Sequence, residues 1–167
     1  MVTNFLWYQG TSNNGLLTSA FNLMTTEIES LTTGSVIISS VGGASGVFSA
    51  TQTGQAIFGD IFFSFGNPGI ASALTAGACI AGWFLTSLDG GTTFEITTAA
   101  PPRAPDFIIP CPATTIAAGA APFKATGLVR LPALEFKVLI QNNTGQTIGN
   151  GSTTVPYLKL APVAMQY

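Results

Sequence analysis

The sequence predicts a mainly β protein, an antiparallel β-sandwich or jelly roll of about eight strands with one N-terminal helix. Short runs of β-branched and aromatic residues recur at roughly ten-residue spacing after residue 34, separated by clusters of Gly, Pro and Asn. Before residue 34, one stretch repeats its apolar residues with a helical period. A length of 167 residues suits one compact domain. We therefore predict an N-terminal arm and helix in residues 1–34 and a jelly-roll β-sandwich in residues 35–167.

The chain begins with an arm that carries a cluster of large apolar residues. Such an arm either closes the fold or reaches a neighbouring molecule, and the sequence leaves both readings open. We select the cluster as the first candidate for a protein contact: Phe5, Leu6, Trp7 and Tyr8.

The one strong helix candidate spans Leu16 to Leu31. Its apolar positions step by four, three, four and three residues: Leu17, Phe21, Met24, Ile28 and Leu31. Asn14-Gly15 can start this helix and Gly34 can end it. Because the stripe is only about two heptads long, we expect the helix to pack on a sheet rather than to form a coiled coil.

The segments after Gly34 have the composition of strands. We predict strands at residues 36–38, 60–65, 78–88, 92–98, 107–110, 126–130, 135–141 and 155–160. Asp89-Gly90-Gly91 favours a tight turn, so segments 78–88 and 92–98 are predicted to form a hairpin. The segment 107–110 is predicted to lie at a sheet edge, because a loop with three prolines precedes it and Pro110 ends it.

The clearest alternation is in residues 135–141. Phe136, Val138 and Ile140 should face one way, whereas Glu135, Lys137 and Gln141 face the other. Leu139 falls among the polar positions. This pattern is typical of a strand with one wetter face.

The chain carries very little charge. Charged residues make up 7% of it, against about a quarter in an average protein, with five Lys and Arg, seven Asp and Glu, no His and a net charge of −2. So few basic groups cannot form the stripe that neutralises phosphates, and they cannot anchor the chain to an anionic membrane. We therefore predict no nucleic-acid partner. A surface so poor in charge is expected to contact other protein, as in a homo-oligomer or a larger assembly.

A transmembrane helix is the reading that competes with strands in residues 61–88, which carry no charge. Pro68, Gly77 and Gly82 interrupt this run, and no basic residue flanks it. The turn at Asp89 follows at once. We therefore predict no membrane span.

No group of residues indicates a catalytic, cofactor or metal site. Without His, the chain has no imidazole base or ligand, and two cysteines cannot complete a zinc site. Cys79 is interpreted as a small core residue, and a disulfide with Cys111 stays open. Asp89-Gly90-Gly91 supplies one oxygen side chain, too few for calcium. Each carboxylate is interpreted as structural: Glu27, Glu29, Asp60, Asp89, Glu95, Asp106 and Glu135.

Four segments resemble a known family. They are NLMTTEIESL at residues 22–31 followed by TTGS, FLTSLDGGTTFE at 84–95, RAPD at 103–106 and LPALEFKVLIQNNTG at 131–145. In order and wording they resemble a group of tailed-bacteriophage virion proteins with a jelly-roll domain. The resemblance runs from about Leu16 to the C-terminus.

The resemblance implies a non-enzymatic virion component, assembled in the bacterial host cytoplasm and needing no cofactor. Its closest functional picture is a capsid decoration (cement) protein that sits as a homotrimer on the shell and contacts the major capsid protein. A tail or head–tail connector (adaptor) subunit is the near competitor. Further contact candidates are Pro101, Pro102 and Arg103 in the proline loop, and Tyr167 in the C-terminal segment Met165-Gln166-Tyr167.

Two other functions compete with a structural virion protein. A carbohydrate-binding surface module would need an exposed aromatic platform, for which Trp7, Trp83 and Tyr157 are candidates, although Trp83 is more readily a core residue. A glycan hydrolase would need two carboxylates about 5–10 Å apart in a cleft, and it is the least favoured of the three.

Overall fold

The computed structural model describes residues 6–9, 21–40, 46–48, 58–65, 74, 76–96, 100–111, 125–149 and 156–166. For residues 6–9, 21, 125–127 and 163–166 the description covers the backbone alone. The strands in this part of the chain are β1 (Leu6–Gln9), β2 (Phe21–Met24), β3 (Val36–Ile38), β4 (Phe58–Ser64), β5 (Cys79–Thr86), β6 (Phe107–Pro110), β7 (Ala125–Arg130), β8 (Phe136–Asn143) and β9 (Tyr157–Gln166).

The strands form two antiparallel sheets, so the protein is mainly β. Sheet one has five strands in the order β1-β9-β4-β7, with β2 also paired with β9, and sheet two has the order β3-β8-β5-β6. The pairings are nested: β2 pairs with β9, β3 with β8, β4 with β7 and β5 with β6. From β2 onward, consecutive strands therefore alternate between the sheets except at β5 and β6.

One edge of β9 carries two strands in succession. β2 pairs with Leu158–Leu160 and β1 pairs with Val163–Gln166, while β4 occupies the opposite edge from Tyr157 to Val163. Pro162 lies between the residues of β9 that pair with β2 and those that pair with β1. Because neither strand pairs with Pro162, its missing amide hydrogen is tolerated on that edge of β9. The prediction that the last strand ends at Leu160 is therefore wrong, because the strand continues through Pro162 to Gln166.

The main core, which we call the inner cluster, contains side chains from both sheets, as in a β-sandwich. Ile61, Phe63 and Leu160 from sheet one belong to the same buried cluster as Phe84 and Phe136 from sheet two. The ring centroids of Phe84 and Phe136 are 5.1 Å apart in an edge-to-face arrangement. The predicted inward positions of β8, Phe136, Val138 and Ile140, are all buried in this inner cluster.

A second apolar cluster, the outer cluster, lies on the other face of sheet two. It consists of Ala81, Trp83, Leu85 and Leu139, with Val36, Ile38, Phe94 and Ile96 packed against it. Both faces of β5 are therefore buried, which is why its sequence is a nearly continuous apolar run. Leu139, which broke the predicted polar face of β8, belongs to this outer cluster.

The predicted N-terminal helix is not confirmed. Residues 21–31 form β2 and then a single 3-10 turn at Thr26–Ile28, and residues 16–20 lie outside the described residues. The register of β2 shifts between Asn22 and Met24, so the adjacent Leu23 and Met24 are both buried. This irregular strand and the turn after it bury residues at helix-like spacing, which explains the misleading sequence period.

The predicted hairpin of segments 78–88 and 92–98 is also wrong. Residues 92–96 form no strand, and β5 pairs with β6 and β8 instead. Residues 97 and 98 lie outside the described part. β6 is an edge strand as predicted. Within the part of the chain described above, no helix is long and apolar enough to cross a membrane.

Candidate functional site

The two chain ends that were predicted to make protein contacts lie side by side. Leu6, Trp7 and Tyr8 pair with Gln166, Met165 and Ala164 through the backbone. Residues 164–166 pair with β1, and the pairing of β4 with β9 extends to Val163 within the described residues. Phe5 and Tyr167 lie outside the described residues. The backbone of the arm is thus part of sheet one within its own chain.

The predicted contact residue Arg103 forms its ion pairs and hydrogen bonds with other residues of the same chain. Its guanidinium forms ion pairs with Glu95 and, at 2.9 Å, with Asp106. Arg103 Nη2 also donates a hydrogen bond to the carbonyl oxygen of Phe84, at 3.0 Å. Pro101 and Pro102 beside it are exposed. Arg103 therefore fastens the segment 87–106 to β5, and the two prolines stay at the surface.

This fastening protects an open strand edge. β6 pairs with β5 only from Cys79 to Gly82, which leaves the backbone groups of Phe84 and Thr86 without a strand on that side. The amide of Phe84 donates to Asp106 Oδ2 at 2.7 Å, and the amide of Thr86 donates to Glu95 Oε1 at 3.4 Å. The amide of Glu95 donates in turn to the carbonyl oxygen of Thr86 at 3.3 Å. Side chains of segment 87–106 thus replace a neighbouring strand.

The surroundings of Glu95 stabilise its ionised form. Partial burial by itself would raise the pKa of this carboxyl. Hydrogen bonds from the Thr86 hydroxyl and amide, together with the charge of Arg103, outweigh burial and lower the pKa below its usual value. The Thr86 hydroxyl donates to Glu95 Oε1 at 2.7 Å. Glu95 and Asp106 therefore act as anionic anchors for Arg103 and for the β5 backbone.

The predicted turn at Asp89-Gly90-Gly91 is confirmed. Gly90 and Gly91 have φ angles of +68° and +84°, which residues other than glycine rarely adopt. Asp89 Oδ1 accepts hydrogen bonds from the Thr93 amide and the Ser87 hydroxyl, both at 2.7 Å. The Thr93 amide contributes most, followed by the Ser87 hydroxyl, and together these donors lower the pKa of Asp89 to about 2. This exposed carboxylate therefore helps to hold the turn.

The two cysteines are free thiols. Cys79 is opposite Pro110, while the amide of Cys111 donates to the carbonyl oxygen of Ala78 at 2.9 Å, so the two side chains alternate to opposite faces of sheet two. Burial, with a smaller effect from Cys79, raises the pKa of Cys111 to about 12. Among the described residues, no group of three His, Cys, Asp or Glu side chains can hold a metal ion.

The aromatic candidates for sugar binding do not form one platform in the part that the structure describes. Trp83 is 2% exposed in the outer cluster, and its Nε1 donates to the carbonyl oxygen of Arg103 at 2.8 Å. Tyr157 is half-buried on β9, with Lys159 Nζ 4.5 Å from its ring centroid. The Trp7 side chain lies outside the description. Trp83 is therefore a buried residue, as the sequence indicated.

The structure also exposes residues that the sequence reasoning missed. Leu88, Leu128 and Leu134 are 91%, 60% and 41% exposed. Leu88 lies directly before the Asp89 turn, and Leu134 lies in the turn that leads into β8. No local signal marked these leucines as exposed, because Leu88 and Leu128 lie in segments predicted as strands and Leu134 follows the apolar residues 131–133.

Comparisons with known proteins identify no relative. No family model, no curated protein and no solved structure matches this chain.

Proposed function

We propose that this chain is a non-enzymatic structural subunit of a phage particle, and specifically a capsid decoration protein that forms a homotrimer and binds the shell. The observation that carries the proposal is the nested strand pairing. Pairs β2/β9, β3/β8, β4/β7 and β5/β6 are those of one long eight-stranded hairpin rolled into two sheets. This supports a jelly roll, a fold found in viral capsid proteins and in lectins.

The fold by itself does not select among these functions. The sequence resemblance to phage virion proteins favours the particle over a lectin, and burial of Trp83 removes one of three aromatic candidates for a sugar platform. The exposed leucines on a chain with only 7% charged residues favour a surface that contacts protein.

The chain's own anchors suit a static subunit. Arg103, Glu95 and Asp106 are occupied in fastening segment 87–106, and Asp89 is occupied in its turn. These side chains hold the backbone of the segment and of the turn in a fixed position. A subunit that binds its partner by shape requires such a fixed backbone.

Imaging of the particle tests the proposal. Purified particles are examined by cryo-electron microscopy, and the density is searched for one five-stranded and one four-stranded sheet with these strand orders. We expect the chain on the outer shell in groups of three copies. Density in the tail or at the head–tail junction would favour the connector alternative. Complete absence of the chain from purified particles would refute the virion proposal.

A further inference from the structure

The strand edges of sheet two are protected against pairing with a further strand. β3 has three residues, and the amide of Ser40 beyond it donates to Glu27 Oε1 at 3.0 Å. The open part of β5 is capped by Asp106 and Glu95. β6 has four residues and ends in Pro110, which has no amide hydrogen. Short strands, prolines and side-chain caps of this kind keep an edge from joining another chain.

The edge strand β7 of sheet one is different. Its six residues, Ala125–Arg130, include no proline, and its pairing with β4 keeps one register throughout. It ends sheet one on that side, and no strand in the described part of the chain pairs with its outer edge. Leu128 in the middle of β7 is 60% exposed. β7 is therefore the longest edge strand that the structure describes, and it lacks the protecting features of sheet two among the described residues.

Alternate backbone groups of β7 point to this outer edge. In an antiparallel sheet, the amide and carbonyl of one residue point to the same side, and successive residues alternate. A Cβ atom built on Gly59 would lie 3.2 Å from the carbonyl oxygen of Ala161, so the Ala161 backbone points toward β4. Ala161 is opposite the residue after Gly59, so Gly59 itself bonds to β7, where it is opposite Val129. The backbone groups of Leu128 and Arg130 on either side of Val129 therefore point outward.

This edge is complementary to the same edge of a second copy. If a two-fold axis passes through Leu128, the strands pair antiparallel, with Leu128 opposite its own copy and Arg130 opposite Thr126 of the other chain. Every outward-pointing residue from Thr126 to Arg130 then has a partner, which gives about six hydrogen bonds. The exposed Leu128 side chains meet at the axis and cover each other.

The charges beside Leu128 are compatible with this register. Asp60 is opposite Leu128 on β4, so the two copies of Asp60 are separated by three strand spacings, about 14 Å. The two copies of Arg130 are offset by four residues along the paired strands, again about 14 Å. Both separations exceed the screening length of about 8–10 Å at moderate salt, so like charges repel little. A net charge of −2 adds no strong long-range repulsion.

We propose that the outer edge of β7 is the surface through which two copies of this chain associate, so that their two five-stranded sheets become one continuous sheet. The occupant of the edge is β7 of a second copy. A two-fold contact of this kind is separate from the three-fold contacts of the proposed homotrimer, and it can form whether or not the chain belongs to a particle.

Hydrogen exchange at single amides of the purified full chain tests the pairing. At concentrations where sedimentation velocity shows association, the amides of Leu128 and Arg130 should be protected, and on dilution they should exchange about tenfold faster or more. The amide of Val129 is the internal control, because it bonds to β4 in both states. Association without protection of Leu128 and Arg130, or a chain that is monomeric at every concentration, would overturn the inference. Protection in a monomeric chain would overturn it too, because the edge would then be covered within the chain.

A proline substitution tests the same edge. Leu128→Pro removes an outward-pointing amide but no hydrogen bond to β4, and it should raise the dissociation constant about tenfold or more. Ile108→Pro is the matched control: Ile108 is 58% exposed on the edge strand β6, and its amide points away from β5, because the amide of Cys111 points toward it. The control should change the constant by about twofold at most.

Circular dichroism and thermal unfolding establish that both proline variants are folded. Association that is unchanged in Leu128→Pro, or weakened equally in Ile108→Pro, would contradict the role of the β7 edge. If Leu128→Pro does not fold, the exchange of the Leu128 and Arg130 amides in the unaltered chain decides the outcome.

Discussion

The inner and the outer apolar clusters of sheet two are held in different ways. The inner cluster is covered by a second sheet, and its aromatic rings pack on one another, with Phe136 5.1 Å from Phe84 and 5.6 Å from Phe48 between centroids. Among the described residues, the outer cluster is covered by Phe94 and Ile96 of segment 87–106, whose described residues form no strand. A sheet positions side chains through its ladder, but an irregular segment needs separate polar anchors, and here Arg103 supplies them.

The anchors of the outer cluster are partly exposed to solvent. The side chains of Arg103, Glu95 and Asp106 are 39%, 35% and 30% exposed. Ion pairs that water reaches contribute little to the free energy of unfolding, about 0–1 kcal/mol each. We therefore expect the inner cluster to determine global stability, and the outer cluster to open locally at lower cost.

The largest difference should come from one aromatic residue in each cluster. Phe136→Ala removes a fully buried ring and should lower the free energy of unfolding by about 3–5 kcal/mol. Phe94→Ala removes a half-buried ring from the outer cluster and should cost clearly less. Urea denaturation followed by circular dichroism measures both. Equal losses would show that the two clusters contribute alike.

The next effect concerns how tightly the inner face of β5 is packed. A Cβ atom at Gly82 would lie 2.0 Å from Cζ of Phe107, whose ring is buried against that face. Gly82→Ala should therefore lower the free energy of unfolding by about 1–3 kcal/mol through overpacking.

A second substitution checks this explanation of the Gly82 variant. Phe107→Leu shortens the side chain that a Cβ would meet, so adding it to Gly82→Ala should cost less than the sum of the two single changes. Strict additivity of the two losses would mean that the Phe107 ring is not what excludes a larger residue.

A smaller global effect is expected from the anchor of the outer segment. Arg103→Met should lower the free energy of unfolding by about 1 kcal/mol. It should also speed hydrogen exchange at the amides of Phe84 and Thr86, which depend on Asp106 and Glu95. Arg130→Met, at an exposed arginine on β7, is the matched control. Unchanged exchange at both amides would contradict the anchoring role of Arg103.

The sequence predicted the strands better than it predicted what covers them. β3, β6 and β8 were predicted because a β-branched run, or an alternation of apolar and polar residues, is a local property. The helix prediction failed in β2, because a register shift between Asn22 and Met24 buries both Leu23 and Met24 and removes the alternation by which a strand is recognised. Such a shift is set by the partner strand, which a local pattern does not reveal.

The outer cluster shows that a local sequence pattern is equally limited in predicting the contacts of the candidate site. The sequence placed Trp83 in the interior and Arg103 at a protein contact, and the structure joins the two, since Trp83 Nε1 donates to the carbonyl oxygen of Arg103. The continuous apolar run of β5 is typical of a strand buried on both faces, but it was interpreted only as one strand of a hairpin. Nothing local indicated that residues 87–106 would supply the second cover.

The smallest expected effect is a response to acid confined to the outer segment. Asp89 has a pKa of about 2 in the folded protein, against an ordinary value of 3.8, so its charge stabilises the turn. A lowered folded pKa means that this stabilisation is complete above about pH 4 and is lost as the pH falls toward 2. The lowered pKa of Glu95 acts in the same direction. The inner cluster consists of apolar side chains and the Cys111 thiol, which stays protonated in acid.

Acid should therefore open the outer segment before the inner cluster. In a Trp7→Phe background, the fluorescence of Trp83 should change between about pH 4 and pH 2 while the far-ultraviolet circular dichroism is retained. Asp89→Asn keeps an acceptor oxygen but cannot titrate, so it should weaken the turn at neutral pH and flatten the change in acid. Simultaneous loss of the fluorescence and circular dichroism signals would mean that both clusters unfold as one unit. The contrast between a sheet-covered and a segment-covered apolar face would then describe how this chain is packed, but not the order in which it opens.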